Sequence, residues 1–152
     1  MEASIERIAL LHPKLRNSAL EAYQEAVRIT PKGVHPVLTQ TLRTFQESDK
    51  LYQQGRTTPG SIVTNSPGGS SLHNYGLAID LVLVIDGKES WVVDDNWMKM
   101  IHCFTSRGWE WGGDWHSIKD YPHVQKTFGY TWQQLLKLKN EGKVDEAGYV
   151  II

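Results

Sequence analysis

The chain has 152 residues, with sixteen Lys and Arg against seventeen Asp and Glu and a formal net charge of −1. That length predicts one domain, residues 1–152, able to bury a core without disulfide staples, and with Cys103 its only cysteine an internal disulfide is excluded. The balanced charge gives no reason to expect nucleic acid or an anionic membrane as a partner, and no segment is apolar for long enough to predict a membrane span.

The N-terminal stretch MEASIERIALLHPKLR is interrupted by Glu2, Glu6 and Arg7, so it does not read as a signal peptide and predicts a protein first held in the cytoplasm. Leu15, Leu20, Tyr23, Ala26, Val27 and Ile29 recur at helical spacing, and Pro31 with Gly33 ends the run. Val37 to Leu42 suits a strand, and Thr44 to Tyr52 a second helix ended near Gly55. Residues 57–74, TTPGSIVTNSPGGSSLHN, form a long loop with a short strand expected at Ile62 and Val63. Loops this long in a compact domain are commonly functional or disordered, and His73 at its end favours function. Leu77 to Ile85, LAIDLVLVI, is apolar on both faces and predicts a central strand whose only charge is Asp80. A buried carboxylate needs a partner, a proton or a metal. Asp86-Gly87 predicts a hairpin turn with Trp91 to Val93 returning. Asn96 to Arg107 predicts a helix with Trp97, Met100, Ile101 and Phe104 inward, and Cys103 among them reads as a small core residue. Trp109 to Trp115 reads as strand or loop, Thr131 to Asn140 as a final amphipathic helix, and the tail GYVII as a short strand. The Trp residues near position 115 fit either a lined groove or aromatic core packing.

His73 and Asp80 stand an odd number of residues apart, so a straight strand would point them to opposite faces. Asn74 and Gly76 permit a turn that lets them converge. Spacing alone leaves two readings open, half of a metal site or a loop His with a paired Asp. About forty residues on, Asp120 to His123 reads DYPH. Pro122 biases Tyr121 to extended backbone, so Asp120 and His123 need a turn to share one site and otherwise belong to a surface turn. Two His and one Asp are enough to hold a catalytic zinc with one position open, which leaves Asp120 where a general base is needed. His12 and His35, each before Pro, read as loop residues, His102 as a helix residue, and His116 as a loop residue near enough for substrate contact. Arg43 and Arg56 read either as clamps for a carboxylate or oxyanion or as surface ion pairs.

Ser70, His73, Gly76, Ala78 and Asp80 form S-x-x-H-x-x-G-x-A-x-D, followed by Asp120, Pro122 and His123 in D-x-P-H. Together they resemble the zinc peptidases that cut bacterial cell-wall peptides, a family uniting D-alanyl-D-alanine carboxypeptidases and dipeptidases with L-alanyl-D-glutamate endopeptidases. The stretches TLRTFQESDKLYQQGRTTPG and WGGDW are similar to the endopeptidase branch, which includes phage endolysins and bacterial wall-remodelling enzymes. The resemblance covers about Val37 to Gln125. It implies an α+β fold, a small antiparallel sheet with helices packed on one side and zinc (Zn2+) in an open groove. It implies His73, Asp80 and His123 as zinc ligands, Asp120 as catalytic base, and Arg43 as the arginine that binds or polarises the scissile carbonyl. Ser70 and Trp115, with His116 beside them, are implied or placed as substrate-binding residues. Carboxypeptidase relatives tend to carry Glu in place of Asp120, which favours the endopeptidase branch. The function implied is zinc-dependent cleavage of the L-alanyl-D-glutamate bond in peptidoglycan stem peptides, and a monomer is expected because no amphipathic run is left without a place in the core. Without a signal peptide, a phage endolysin that reaches the wall through a holin is the expected setting. A D-alanyl-D-alanine carboxypeptidase or dipeptidase is the alternative. A non-catalytic zinc-containing binding domain, as in hedgehog signalling domains, is a further one that Asp120 disfavours.

Overall fold

The computed structural model describes all residues, 1–152. Strand β2, Ala78–Ile85, is its axis. Ala78, Ile79, Leu81, Val82 and Leu83 are buried, so both faces of the strand are covered, as its unbroken apolar run requires. Both edges are used as well. Strand β1, Val34–Gln40, runs antiparallel along one edge, from Val34 opposite Ile85 to Gln40 opposite Asp80, with an irregularity between Leu38 and Gln40. The other edge is shared end to end: β3, Lys88–Ser90, pairs with Leu83 to Ile85, and β5, His123–Gln125, pairs with Ala78 to Asp80. Strand β4, Glu110–Trp111, pairs with β5 and completes the antiparallel sheet. Because β1 lies at the edge, Pro36 is tolerated inside it, and the strand begins before the expected Val37.

The helices are α1 (Glu2–Ile8), α2 (Arg16–Ile29), α3 (Phe45–Gln53), α4 (Asp95–Thr105) and α5 (Trp132–Asn140). Helix α2 buries Ala19, Ala22, Tyr23 and Ala26, and α4 buries Trp97, Met100, Ile101 and Phe104, each a stripe of period 3.6. The two stripes meet, and α2 also packs on β1 while α4 packs on β4 and β5. Capping boxes start α3 (Thr44 with Glu47) and α5 (Thr131 with Gln134). No helix is long and apolar enough to cross a membrane.

Four local features go beyond or against the expected elements, and His35 lies within β1 instead of in a loop. Helix α1 has no apolar stripe to announce it, because Ser4 occupies a buried position and its Oγ accepts from the Leu38 N–H at 3.1 Å. Ile62 and Val63 form no strand and are exposed. Asp86 and Gly87 both take positive φ, 52° and 77°, giving a two-residue turn. The returning strand therefore starts at once, at Lys88 opposite Ile85, and has ended before the exposed Trp91, Val92 and Val93. His12 is buried, and its Nε2 lies 2.7 Å from the Val150 carbonyl, joining the two ends of the chain, where Val144 and Val150 also form an isolated bridge.

Cys103 is buried in the core, and its thiol is pushed up to about 12, mainly by burial and then by the neighbouring Glu25. The native protein is therefore expected to resist a thiol reagent at neutral pH and to react fully once unfolded. Stoichiometric labelling at the native-state mixing time would refute this.

Candidate active site

His73 sits on a single 3-10 turn, Leu72–Tyr75, opened by the Ser71 hydroxyl and closed by Gly76 at φ 70°. A Cβ on Gly76 would stand 2.6 Å from the backbone nitrogen of His12, whose N–H donates to the Gly76 carbonyl at 3.0 Å. This left-handed, close-packed glycine turns the chain sharply just before β2 and brings His73 over Asp80 despite their odd spacing. Asn74 holds the turn in place. Its Oδ1 accepts from the Gly69 and Ser71 N–H groups, each at 3.1 Å, and its Nδ2 donates to Ser48 Oγ at 2.8 Å and to the Arg43 carbonyl at 3.0 Å.

The sheet supplies the rest. In the β2–β5 ladder Asp80 stands directly opposite His123, so their side chains share one face. His73 Nε2 and His123 Nδ1 each lie 3.3 Å from Asp80 Oδ1, and the three candidate ligand atoms all lie within 4.8 Å of one another. Ligands at the usual zinc distances around a tetrahedron stand roughly 3.3 Å apart. The outer nitrogens are committed elsewhere, His73 Nδ1 to the Thr41 carbonyl at 2.8 Å and His123 Nε2 to Gln125 Oε1 at 2.7 Å. Both partners can only accept, so each outer nitrogen carries its proton and each inner nitrogen is left to face the carboxylate. Two ring lone pairs turned on a carboxylate repel unless a cation stands among them. The donor set therefore fits a metal ion.

In the metal-free protein a second ring proton can take that place. Burial opposes charge on both groups, yet the His123 and His73 hydrogen bonds hold Asp80 well below the usual carboxylate range. Burial likewise opposes a charged His123, but its bonds to Asp80 and Gln125, with Asp120 nearby, raise its pKa.

Asp120 is held by the W-G-G segment. Its N–H donates to the Gly112 carbonyl at 3.1 Å, a Cβ on Gly112 would collide with the Asp120 carbonyl, and the Trp111 indole donates to the Tyr121 carbonyl at 2.7 Å. The His123 N–H closes back on the Asp120 carbonyl at 3.2 Å, which is the turn that D-x-P-H needs to put both side chains in one site. Asp120 Oδ2 then lies 3.8 Å from His123 Nδ1 with its side chain 46% exposed. Burial raises its pKa, with His123 pulling it down and Asp80 pushing it up.

These groups open on a groove of about 460 Å³ lined by Arg43, Ser71, His73, Asp80, Trp115, Asp120 and His123 together with Leu51, Val63, Thr64, Ser66, Leu72 and Gln125. Arg43 Nε is buried there without a hydrogen-bond partner. Two of the expected substrate contacts lie outside this lining. The Ser70 hydroxyl turns away to donate to the Pro67 carbonyl at 2.7 Å, and it is Ser71 that reaches the wall. His116 is exposed beyond Trp115. Trp109 and Trp111 are core residues while Trp115 faces the groove, so both readings of the tryptophans hold. Gln125 escaped notice, although its position two residues after His123 on an extended chain puts it on the same face.

Arg56 forms no ion pair and lies outside the groove lining. Its guanidinium donates to the carbonyls of Tyr52 (2.7 Å) and Thr64 (3.0 Å) and to Asn65 Oδ1 (3.0 Å), over the Tyr52 ring. It thus fastens the loop that carries Val63, Thr64 and Ser66 to the end of α3. Arg56→Ala is expected to speed proteolytic cutting within residues 57–66 and to raise KM several-fold with little change in kcat. Unaltered cutting and KM would remove this role.

Residues 64–126, which contain His73, Asp80, Asp120 and His123, match the family described as D-alanyl-D-alanine carboxypeptidase. The chain is 42% identical over 124 residues to the peptidoglycan L-alanyl-D-glutamate endopeptidase CwlK of Bacillus subtilis (strain 168), covering 76% of this chain and 72% of that protein. It is 31% identical over 101 residues to the L-alanyl-D-glutamate peptidase of Listeria phage A118, covering 64% of this chain but 33% of the phage protein. Among solved structures, the Serratia marcescens L-Ala D-Glu endopeptidase ChiX aligns with a TM-score of 0.58 at 26% identity, over 82% of this chain and 86% of that one. The extent of these matches, on a shared sheet-and-helix fold, means that the chain belongs to the metallopeptidase family of D-alanyl-D-alanine carboxypeptidases and L-alanyl-D-glutamate endopeptidases.

Proposed function

We propose that this enzyme hydrolyses the L-alanyl-D-glutamate bond of peptidoglycan stem peptides, with zinc held by His73 Nε2, Asp80 and His123 Nδ1. The observation that carries the reading is the convergence of these three groups beside a fourth, Asp120, at the floor of one groove. CwlK and ChiX support the endopeptidase branch, as does Asp rather than Glu at position 120.

Zinc, when bound, supplies Lewis acidity that polarises a carbonyl and lowers the pKa of water. The chain's own residues do the rest. Arg43, in the groove lining, brings its positive charge to the substrate carbonyl and steadies the negative charge that grows on its oxygen. Asp120 accepts a proton from the attacking water and returns it to the amine nitrogen as the C–N bond breaks. Its raised pKa suits both halves of that exchange, since a weakly basic carboxylate would take the proton poorly. Trp115, its ring tilted at 52° to that of His123 with 5.3 Å between centroids, forms an apolar wall for the stem peptide.

Mass spectrometry of peptidoglycan digested by the zinc-loaded protein, beside a chelated control, tests this. New N-terminal D-glutamate on stem peptides, lost on chelation and restored by zinc, is the expected result. Release of D-alanine alone would move the enzyme to the carboxypeptidase branch, the activity under which residues 64–126 are described. The Listeria phage relative favours a lytic role for the same cleavage, and the Bacillus relative a role within a bacterium. Rapid clearing of permeabilised cells by added enzyme would support the first.

A further inference from the structure

We propose that Glu110, which is not part of the groove lining, is a positioning residue that fixes which nitrogen of His123 is free and so sets the metal affinity of the centre. The inference rests on His123 as a ligand, as read above. Glu110 on β4 stands directly opposite Gln125 on β5, so the two side chains share a face. One carboxylate oxygen, Glu110 Oε2, accepts from Gln125 Nε2 at 3.3 Å and from the Trp115 indole at 2.6 Å. An ionised carboxylate offers no donor, so Gln125 must turn its NH2 group toward it. That orientation points the only acceptor of the amide, Oε1, at His123 Nε2, 2.7 Å away. Nε2 must then carry the ring proton, and Nδ1 is left bare toward Asp80.

The direction of every bond in this chain is dictated by the single charge at its outer end. With alanine at position 110, nothing fixes the Gln125 amide and it can rotate. In the rotated state Gln125 presents NH2 to His123, the ring must accept at Nε2, and its proton moves to Nδ1, where it blocks the metal. The same oxygen tethers Trp115, so the groove wall and the ligand orientation share one anchor.

The test is the zinc dissociation constant, measured by competition with a chromophoric chelator. Glu110→Ala is expected to weaken zinc binding by about 10-fold, at the lower end of what outer-shell partners of metal ligands contribute. The double variant Glu110→Ala with Gln125→Glu is expected to restore it. In the double variant, the carboxylate at position 125 can only accept, and so it keeps the His123 proton on Nε2. Thermal melts of the zinc-free variants, expected to match the wild type, separate this from a folding defect. Wild-type zinc affinity in Glu110→Ala, or a folded double variant with no recovery, overturns the proposal while leaving the ligand reading intact. A wild-type protein that binds no zinc overturns both.

Discussion

Asp120→Ala is expected to fold, to bind zinc as the wild type does, and to lose about 10²–10⁴-fold in kcat, the usual worth of a positioned acid–base group. Folding should survive because the segment is held through its backbone. The Gly112 carbonyl takes the Asp120 N–H, the Trp111 indole takes the Tyr121 carbonyl, and the Leu81 N–H takes the Pro122 carbonyl at 2.8 Å. None of these bonds uses the Asp120 carboxylate. Metal content should survive because the proposed ligand set is complete without it. KM should move little, since the carboxylate is proposed to exchange protons and not to hold the substrate. Elemental analysis together with turnover of a defined stem peptide checks this, and turnover at the wild-type rate would end the assignment of Asp120 as base.

His123→Ala should fail in a different way, losing both metal and activity. The ring contributes one of three proposed ligands and shares with His73 the task of neutralising Asp80. A ligand that binds only the folded state stabilises it by about 2.7 kcal/mol when present at a hundred times its dissociation constant. Added zinc is therefore expected to raise the melting temperature of the wild type and to leave that of His123→Ala unchanged. Zinc content equal to the wild type would refute the ligand assignment.

The pair of variants divides the site along a line that was partly visible in the sequence. Asp80 announced itself as the only charge in an apolar run, and His73, Asp120 and His123 stood out through the motifs that contain them. What could not be read was how they meet. The turn at Gly76 depends on the close approach of His12, sixty-odd positions earlier in the chain. Strand β5 has only three residues, too few for a period-two pattern to register. The same limit hid α1, where Ser4 takes a core position by bonding to Leu38, and it misplaced the returning hairpin strand, since Trp91 to Val93 look like strand but follow a ladder already complete at Ser90. Ser70 and Ser71 cannot be told apart by motif, because only the loop geometry decides which hydroxyl bonds to Pro67 and which residue lines the groove. Local pattern was legible, and pairing across the chain was not.

The pairing of Asp80 with His123 has a consequence for how the molecule is made. Slipping β5 against β2 by one residue would send His123 to the opposite face and bring a neighbour in its place. Only the correct alignment of two strands far apart in the chain assembles the proposed coordination set. A bound ion would thus reward one pairing over its near misses, acting as a proofreader of sheet assembly. Refolding with metal present should yield fewer misaligned, aggregation-prone chains than refolding under chelation.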